Sequence, residues 1–198
     1  MSASVRPLLA NPSEPEELDD LTLRRAQRGD QAAFRALVLR YQRPVFALLG
    51  RMLARSQPGL VEDLAQETFL RVFRALPNFS LSGPARLSTW ILSISARLAL
   101  DELRKHAPQT MPLEEMIELP SGERTESGLE QRSLGEAISR AVSQLSPGFR
   151  AVFLLREAHD LSYEEIAQAL QIDVGTVKSR LLRARAALRV ALAGVLHD

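Results

Sequence analysis

The sequence predicts an all-α protein built as two small helical domains, an N-terminal helical bundle and a C-terminal helix-turn-helix domain, joined by a flexible linker. Three observations carry this. Apolar residues recur at three- and four-residue steps through most of the chain, the period of a helix with one buried face. Of the eleven prolines, most fall between those stretches rather than within them. Charge is segregated: a net charge of +1 conceals two basic blocks separated by an acidic one.

Residues 1–20 carry one Arg against five acids and are rich in Pro, Ser and Glu, which reads as a mobile acidic tail. Residues 21–106 carry fourteen basic side chains against six acidic ones. A short helix over 21–28 ends at Gly29-Asp30. A long helix from 31 to about 55 follows, with Phe34, Leu37, Val38, Tyr41, Val45, Leu48, Leu49 and Met52 toward a core. Pro44 lies inside it and predicts a kink or break. Residues 56–59, Ser-Gln-Pro-Gly, form a turn.

The helix over 60–76 places Val61, Ala65, Phe69, Val72 and Leu76 inward. Asp63, Gln66, Glu67, Leu70 and Arg74 align on another side, with Arg71 at its edge. An apolar Leu70 within a polar stripe suits a protein-binding face. Residues 77–88 form a loop. A further helix starts at Ser88-Thr89-Trp90 and runs to about 105, its buried side supplied by Trp90, Ile91, Ile94, Leu98 and Leu103, with Arg97, Asp101, Arg104 and Lys105 as its polar positions. Phe34, Tyr41, Phe46, Phe69, Phe73 and Trp90 are expected to fill the core of this domain.

Residues 107–131 hold six Glu against one Arg, with three prolines, and read as an extended acidic linker. Helices over 132–145 and 149–159 then lead into a helix-turn-helix. Ser162 and Glu165 have capping-box spacing at the start of a helix over 163–170. Three residues leave room for a tight turn, and Asp173 is placed to cap the next helix. That last helix buries Val177, Leu181, Ala184 and Leu188 on one stripe. Ser179, Leu182 and Arg183 lie opposite, flanked by Lys178 and Arg180. A helix with one apolar face and one basic, hydroxyl-bearing face fits the DNA major groove.

The absence of cysteine excludes a disulfide framework and any thiolate site. His106, His159 and His197 are far apart and lack a recurring acidic partner, so neither a metal site nor a catalytic triad is expected. There is no Gly-rich phosphate loop or nucleophile elbow. The adjacent pairs Glu114-Glu115 and Glu164-Glu165 point apart and make poor acid/base couples. No enzyme activity, catalytic residue, metal or cofactor is expected. No apolar run approaches a membrane span and residues 1–20 lack an apolar signal core, so the expectation is a soluble, cytoplasmic protein without membrane insertion. Binding nucleic acid is the positive reading. Lys178, Arg180, Arg183, Arg185 and Arg189 are candidates to neutralise phosphates, with Thr176 and Ser179 able to bond a base edge or phosphate.

Three stretches together resemble the bacterial RNA polymerase sigma factors of the extracytoplasmic-function group, within the sigma-70 family. They are DLAQETFLRVFRAL at 63–76, NFSLSGPARLSTWILSISARLALDELR at 78–104, and LSPGFRAVFLLREAHDLSYEEIAQALQIDVGTVKSRLLRARAAL at 145–188. The resemblance implies a region 2 over 21–106 and a region 4 over 132–198. It implies that Asp63, Gln66, Glu67, Leu70 and Arg71 bind core RNA polymerase at the β′ clamp, with the β subunit also a partner. It assigns Asn78, Phe79, Ser80, Arg86, Trp90, Arg97, Asp101 and Arg104 to the −10 element and its melted strand. Thr176, Lys178, Ser179, Arg180, Leu182 and Arg183 fall to duplex DNA at the −35 element. An anti-sigma factor is the implied regulatory partner. Two positions depart from the family pattern: Arg97 stands where Asn is frequent, and Asp160 where Gly is common. The alternative is a stand-alone helix-turn-helix repressor or activator, which would bind duplex DNA by itself. A helical adaptor that does not touch DNA is a third reading, and leaves the basic helix unused.

Overall fold

The computed structural model describes residues 17–53, 59–83, 85–105 and 130–193, with side chains from 134 onward in the last stretch. The described residues form eight α-helices, one short 3-10 helix and no strand. They are α1 (Asp20–Gln27), α2 (Gln31–Met52), α3 (Leu60–Ala75), the 3-10 turn Leu76–Asn78, α4 (Leu87–Lys105), α5 (Glu130–Gln144), α6 (Pro147–Glu157), α7 (Tyr163–Leu170) and α8 (Val174–Ala191). None of the described helices is long and apolar enough to cross a membrane. The acidic stretch over 107–131 and His106 and His197 lie almost wholly or wholly outside the described residues.

Local sequence explains most helix starts. Asp19 accepts the Thr22 amide at 2.9 Å and Asp30 accepts the Ala33 amide at 3.0 Å, each satisfying an orphan donor of a first turn. These bonds hold both carboxyls below the usual Asp range, led by the Thr22 and the Ala33 backbone amide respectively. Gly59 precedes α3 with φ 87°, a left-handed conformation that favours glycine. The tail predicted over 1–20 therefore gives way to structure at least from Glu17.

Three expectations are corrected within the N-terminal bundle. Pro44 does not break α2, which runs on through Met52 with Pro44 buried against its neighbours. A proline ring costs a helix one amide donor, and here tertiary burial of Tyr41, Val45, Leu48 and Leu49 around it outweighs the loss. Aromatics do not fill the core either. Tyr41 is buried, but Phe34, Phe69 and Trp90 are half-buried, while Phe46 and Phe73 are 40% and 50% exposed. Aliphatic side chains of α2 and α4 take the space. The inner face of α3 is also rotated from the predicted one: Leu64, Ala65, Thr68 and Val72 are buried, whereas Val61 and Phe69 sit at its margin. Thr68 lies inward because its hydroxyl donates to the Leu64 carbonyl at 2.7 Å.

α2 is the central helix, packed by α1, α3 and α4. In the C-terminal unit α6 lies against α8, with α7 across both. The two units pack on each other through α4 with α6 and α7, and α2 with α5 and α6, so one hydrophobic core runs through both. α4 shows the consequence. Buried residues surround it on nearly every side except one stripe. A helix apolar on most of its circumference needs neighbours on more than one side.

Candidate nucleic-acid interface

The predicted sites resolve into three surfaces. On α3, Asp63, Gln66 and Leu70 are exposed one turn apart, with Leu70 at 49% and Phe73 extending the apolar part of the face. The Phe73 ring meets Phe34 edge-on at 5.0 Å. Arg71 donates to Glu67 at 2.7 Å across one turn, so these two charges are internally matched on the same surface.

On α4, Trp90, Arg97, Asp101 and Arg104, with Ile94 among them, are spaced by four or three residues and form the single stripe left uncovered. Arg97 folds back, donating through Nε to the Ser93 carbonyl and through Nη2 to Ser93 Oγ, both at 3.2 Å. Asp101 accepts from Arg104 at 2.9 Å. Trp90 is half-buried, packed against the margin of the core. It packs with Phe79 from the preceding loop, ring centroids 4.9 Å apart. Asn78 closes the 3-10 turn and is exposed, Ser80 Oγ lies 3.3 Å from Ser82 Oγ, and Arg86 reaches Glu165 of α7 at 3.9 Å.

On α8, Val177, Leu181, Ala184 and Leu188 are buried as the spacing predicts. Lys178, Ser179, Leu182 and Arg183 are exposed, Leu182 at 71%, with Thr176 and Arg180 at the edge. The outermost line also contains Gly175 and Ala186, small residues that allow close approach to a partner. Ser179 donates to the Thr176 carbonyl at 3.0 Å, which leaves its lone pairs outward. Arg185 does not join this surface. It donates to the buried carboxylate of Glu157 at 2.6 Å and ties α8 to α6. The capping box is formed, with Ser162 Oγ accepting the Glu165 amide at 3.1 Å and Glu165 accepting the Ser162 amide at 2.8 Å. Asp173 occupies the cap position of α8 without a side-chain cap bond, against expectation. The turn is instead held at the end of α7, where Gln171 takes φ 56° and the Ile172 amide reaches back to the Ala167 carbonyl at 3.0 Å.

Several residues that shape these surfaces carry no signal in the sequence. Gln27 Nε2 donates to the carbonyls of Leu76 (3.1 Å) and Phe79 (2.7 Å). Glu17 accepts from Ser88 Oγ at 2.5 Å and from Tyr41 at 2.8 Å. Thr89 donates to Glu165 at 3.0 Å. Each joins residues more than twenty positions apart, which no local pattern reveals.

Comparison with known proteins assigns the arrangement to a class. The sigma-70 region 2 model matches residues 37–109 and the sigma-70 region 4 model matches residues 135–188. The chain is 34% identical to the RNA polymerase sigma-H factor of Pseudomonas aeruginosa over 92% of its own length and 98% of that protein's. It is 34% identical to the ECF RNA polymerase sigma-E factor of Salmonella typhimurium, covering 86% and 92% respectively. In fold it is similar to CnrH, solved in complex with the cytosolic domain of CnrY, with a TM-score of 0.62, 24% identity and coverage of 88% of this chain and 96% of that one. It is also similar to the sigma factor RpoE of Bartonella quintana, solved with the anti-sigma factor NepR, with a TM-score of 0.60, 22% identity and coverage of 81% and 96%. The chain belongs to the sigma-70 family, in its extracytoplasmic-function group.

Proposed function

We propose that the protein acts in the cytoplasm, binds core RNA polymerase and directs it to promoters by reading a −10 and a −35 element, region 2 spanning residues 21–106 and region 4 residues 132–198. The observation that carries this is the order of the two matched regions along one chain, in an alignment that covers 92% of it and 98% of a sigma-factor relative. Its work is binding, and no chemical step is assigned to it.

In this reading the α3 face engages the β′ clamp, with Leu70 and Phe73 as apolar anchors ringed by Asp63, Gln66, Glu67 and Arg71, and the β subunit also contacts the bound chain. α8 enters the major groove at the −35 element. Lys178 and Arg180 hold phosphates at its edges, while Ser179, Leu182 and Arg183 face the base edges, each good bidentate contact giving about 1–3 kcal/mol of discrimination. The loop carrying Asn78, Phe79, Ser80 and Arg86 receives a base displaced from the non-template strand beside Trp90. Stacking on such an aromatic contributes about 1–3 kcal/mol, which offsets the few kcal/mol lost on unstacking. The backbone-bonded Arg97 serves a phosphate rather than a base edge, and the Asp101–Arg104 pair presents a near-neutral patch to the strand. An anti-sigma factor silences the protein by covering the exposed α3 face.

Promoter-specific transcription with purified core polymerase tests the proposal. A defined start should appear on a genomic fragment only when the protein is added; no start on any fragment would overturn it. Arg183→Ala should lower −35-dependent initiation about tenfold with core affinity unchanged. Glu67→Lys should weaken core association while the −35 contacts persist.

A further inference from the structure

The −10 loop is held at both ends by the segment from Glu17 to Gln27. At its start, the Gln27 amide spans the 3-10 turn, bonding the carbonyls of Leu76 and Phe79 and so setting where the Phe79 ring meets Trp90. At its end, Glu17 accepts from the Ser88 hydroxyl, and Tyr41 from the core of the bundle donates to the other carboxylate oxygen. The Leu18 amide bonds back to the same Tyr41 oxygen at 3.2 Å, anchoring Glu17 to the bundle. Neither Gln27 nor Glu17 lies on the exposed α4 stripe. We propose that Gln27 and Glu17 are positioning residues for promoter opening, fixing the two ends of the loop so that a displaced base meets a preformed pocket; this rests on the −10 assignment above. Preorganisation of this kind lowers the ordering cost of capture.

The test uses Trp90, the single tryptophan, as a reporter. Gln27→Glu keeps the shape but removes both donors, and Glu17→Ala removes the other clasp at a site near the edge of the fold. Each variant should make Trp90 in the free protein more accessible to acrylamide and cut strand opening at the −10 element about tenfold, with core affinity within twofold of the parent. Unchanged Trp90 quenching overturns the proposal without reference to any promoter. Raised quenching with undiminished opening, or opening lost only in proportion to core affinity, overturns it as well.

Discussion

Asp160 takes a φ of 52° between α6 and α7, a left-handed conformation that costs an L-residue about 1–2 kcal/mol relative to glycine. Arg156 lies 3.6 Å from its carboxylate, donates to the Leu161 carbonyl at 2.8 Å and stacks over Tyr163, so the join is held by the guanidinium. This accounts for the departure at Asp160 from the glycine common in the family. Asp160→Gly should raise stability by up to about 1 kcal/mol in urea unfolding, since the backbone strain relieved exceeds a half-exposed ion pair. Ser162, two residues on, should behave oppositely. Ser162→Ala removes half of the capping box and should cost about 1 kcal/mol in the same measurement.

At the scale of the element, α4 and α8 illustrate different logic. α8 is amphipathic in the ordinary sense: one aliphatic stripe lies inward, and Lys178, Ser179, Leu182 and Arg183 are exposed opposite it. Its exposed face was legible in the sequence because a single period of 3.6 residues describes both faces at once. Arg185 was misplaced because charge alone says nothing of the buried carboxylate of Glu157 across the unit. Arg185→Met should therefore lower stability rather than the salt dependence of DNA binding, whereas Lys178→Ala should reduce the salt slope of promoter binding by about one. α4 is enclosed on most sides, and its periodicity marks what is apolar without telling which neighbour covers it. Trp90 was expected both in the core and, by the family resemblance, at the −10 element. The structure puts it at the boundary against Phe79, where a ring can both pack and meet a base.

For the whole molecule, the contact between the two units places Arg51 of α2 beside His159, at the end of α6. Among the described residues neither the His159 Nε2 nor the Arg51 Nη1 has a hydrogen-bond partner, although both atoms are buried. Burial first, and the Arg51 charge second, push the His159 pKa down to about 4. An unfolded histidine binds its proton near pH 6.5, so between those values the unfolded chain holds more protons than the folded one. Stability should thus be full above about pH 6.5, fall as pH drops toward 4, and level off below, with a total loss of about 3 kcal/mol from this group. His159→Gln should flatten that part of the profile in urea titrations at pH 7 and pH 5.

What the sequence by itself determined is everything set by local periodicity and short-range chemistry. Helix positions, the capping box, the buried stripe of α8 and the family pattern all depend on residues within a few turns of one another. Tertiary structure decided the rest. It carried α2 through Pro44, rotated the inner face of α3 toward Leu64 and Thr68, and drew Glu17 and Gln27 to the two ends of a loop some fifty to seventy residues away. It also packed the two units against one another, with Thr89 of α4 bonded to Glu165 of α7. These outcomes depend on which surfaces remain uncovered after the helices form, and on polar groups that must find partners across the fold. Burial and hydrogen-bond satisfaction are properties of the assembled chain, so no stretch of sequence contains them alone.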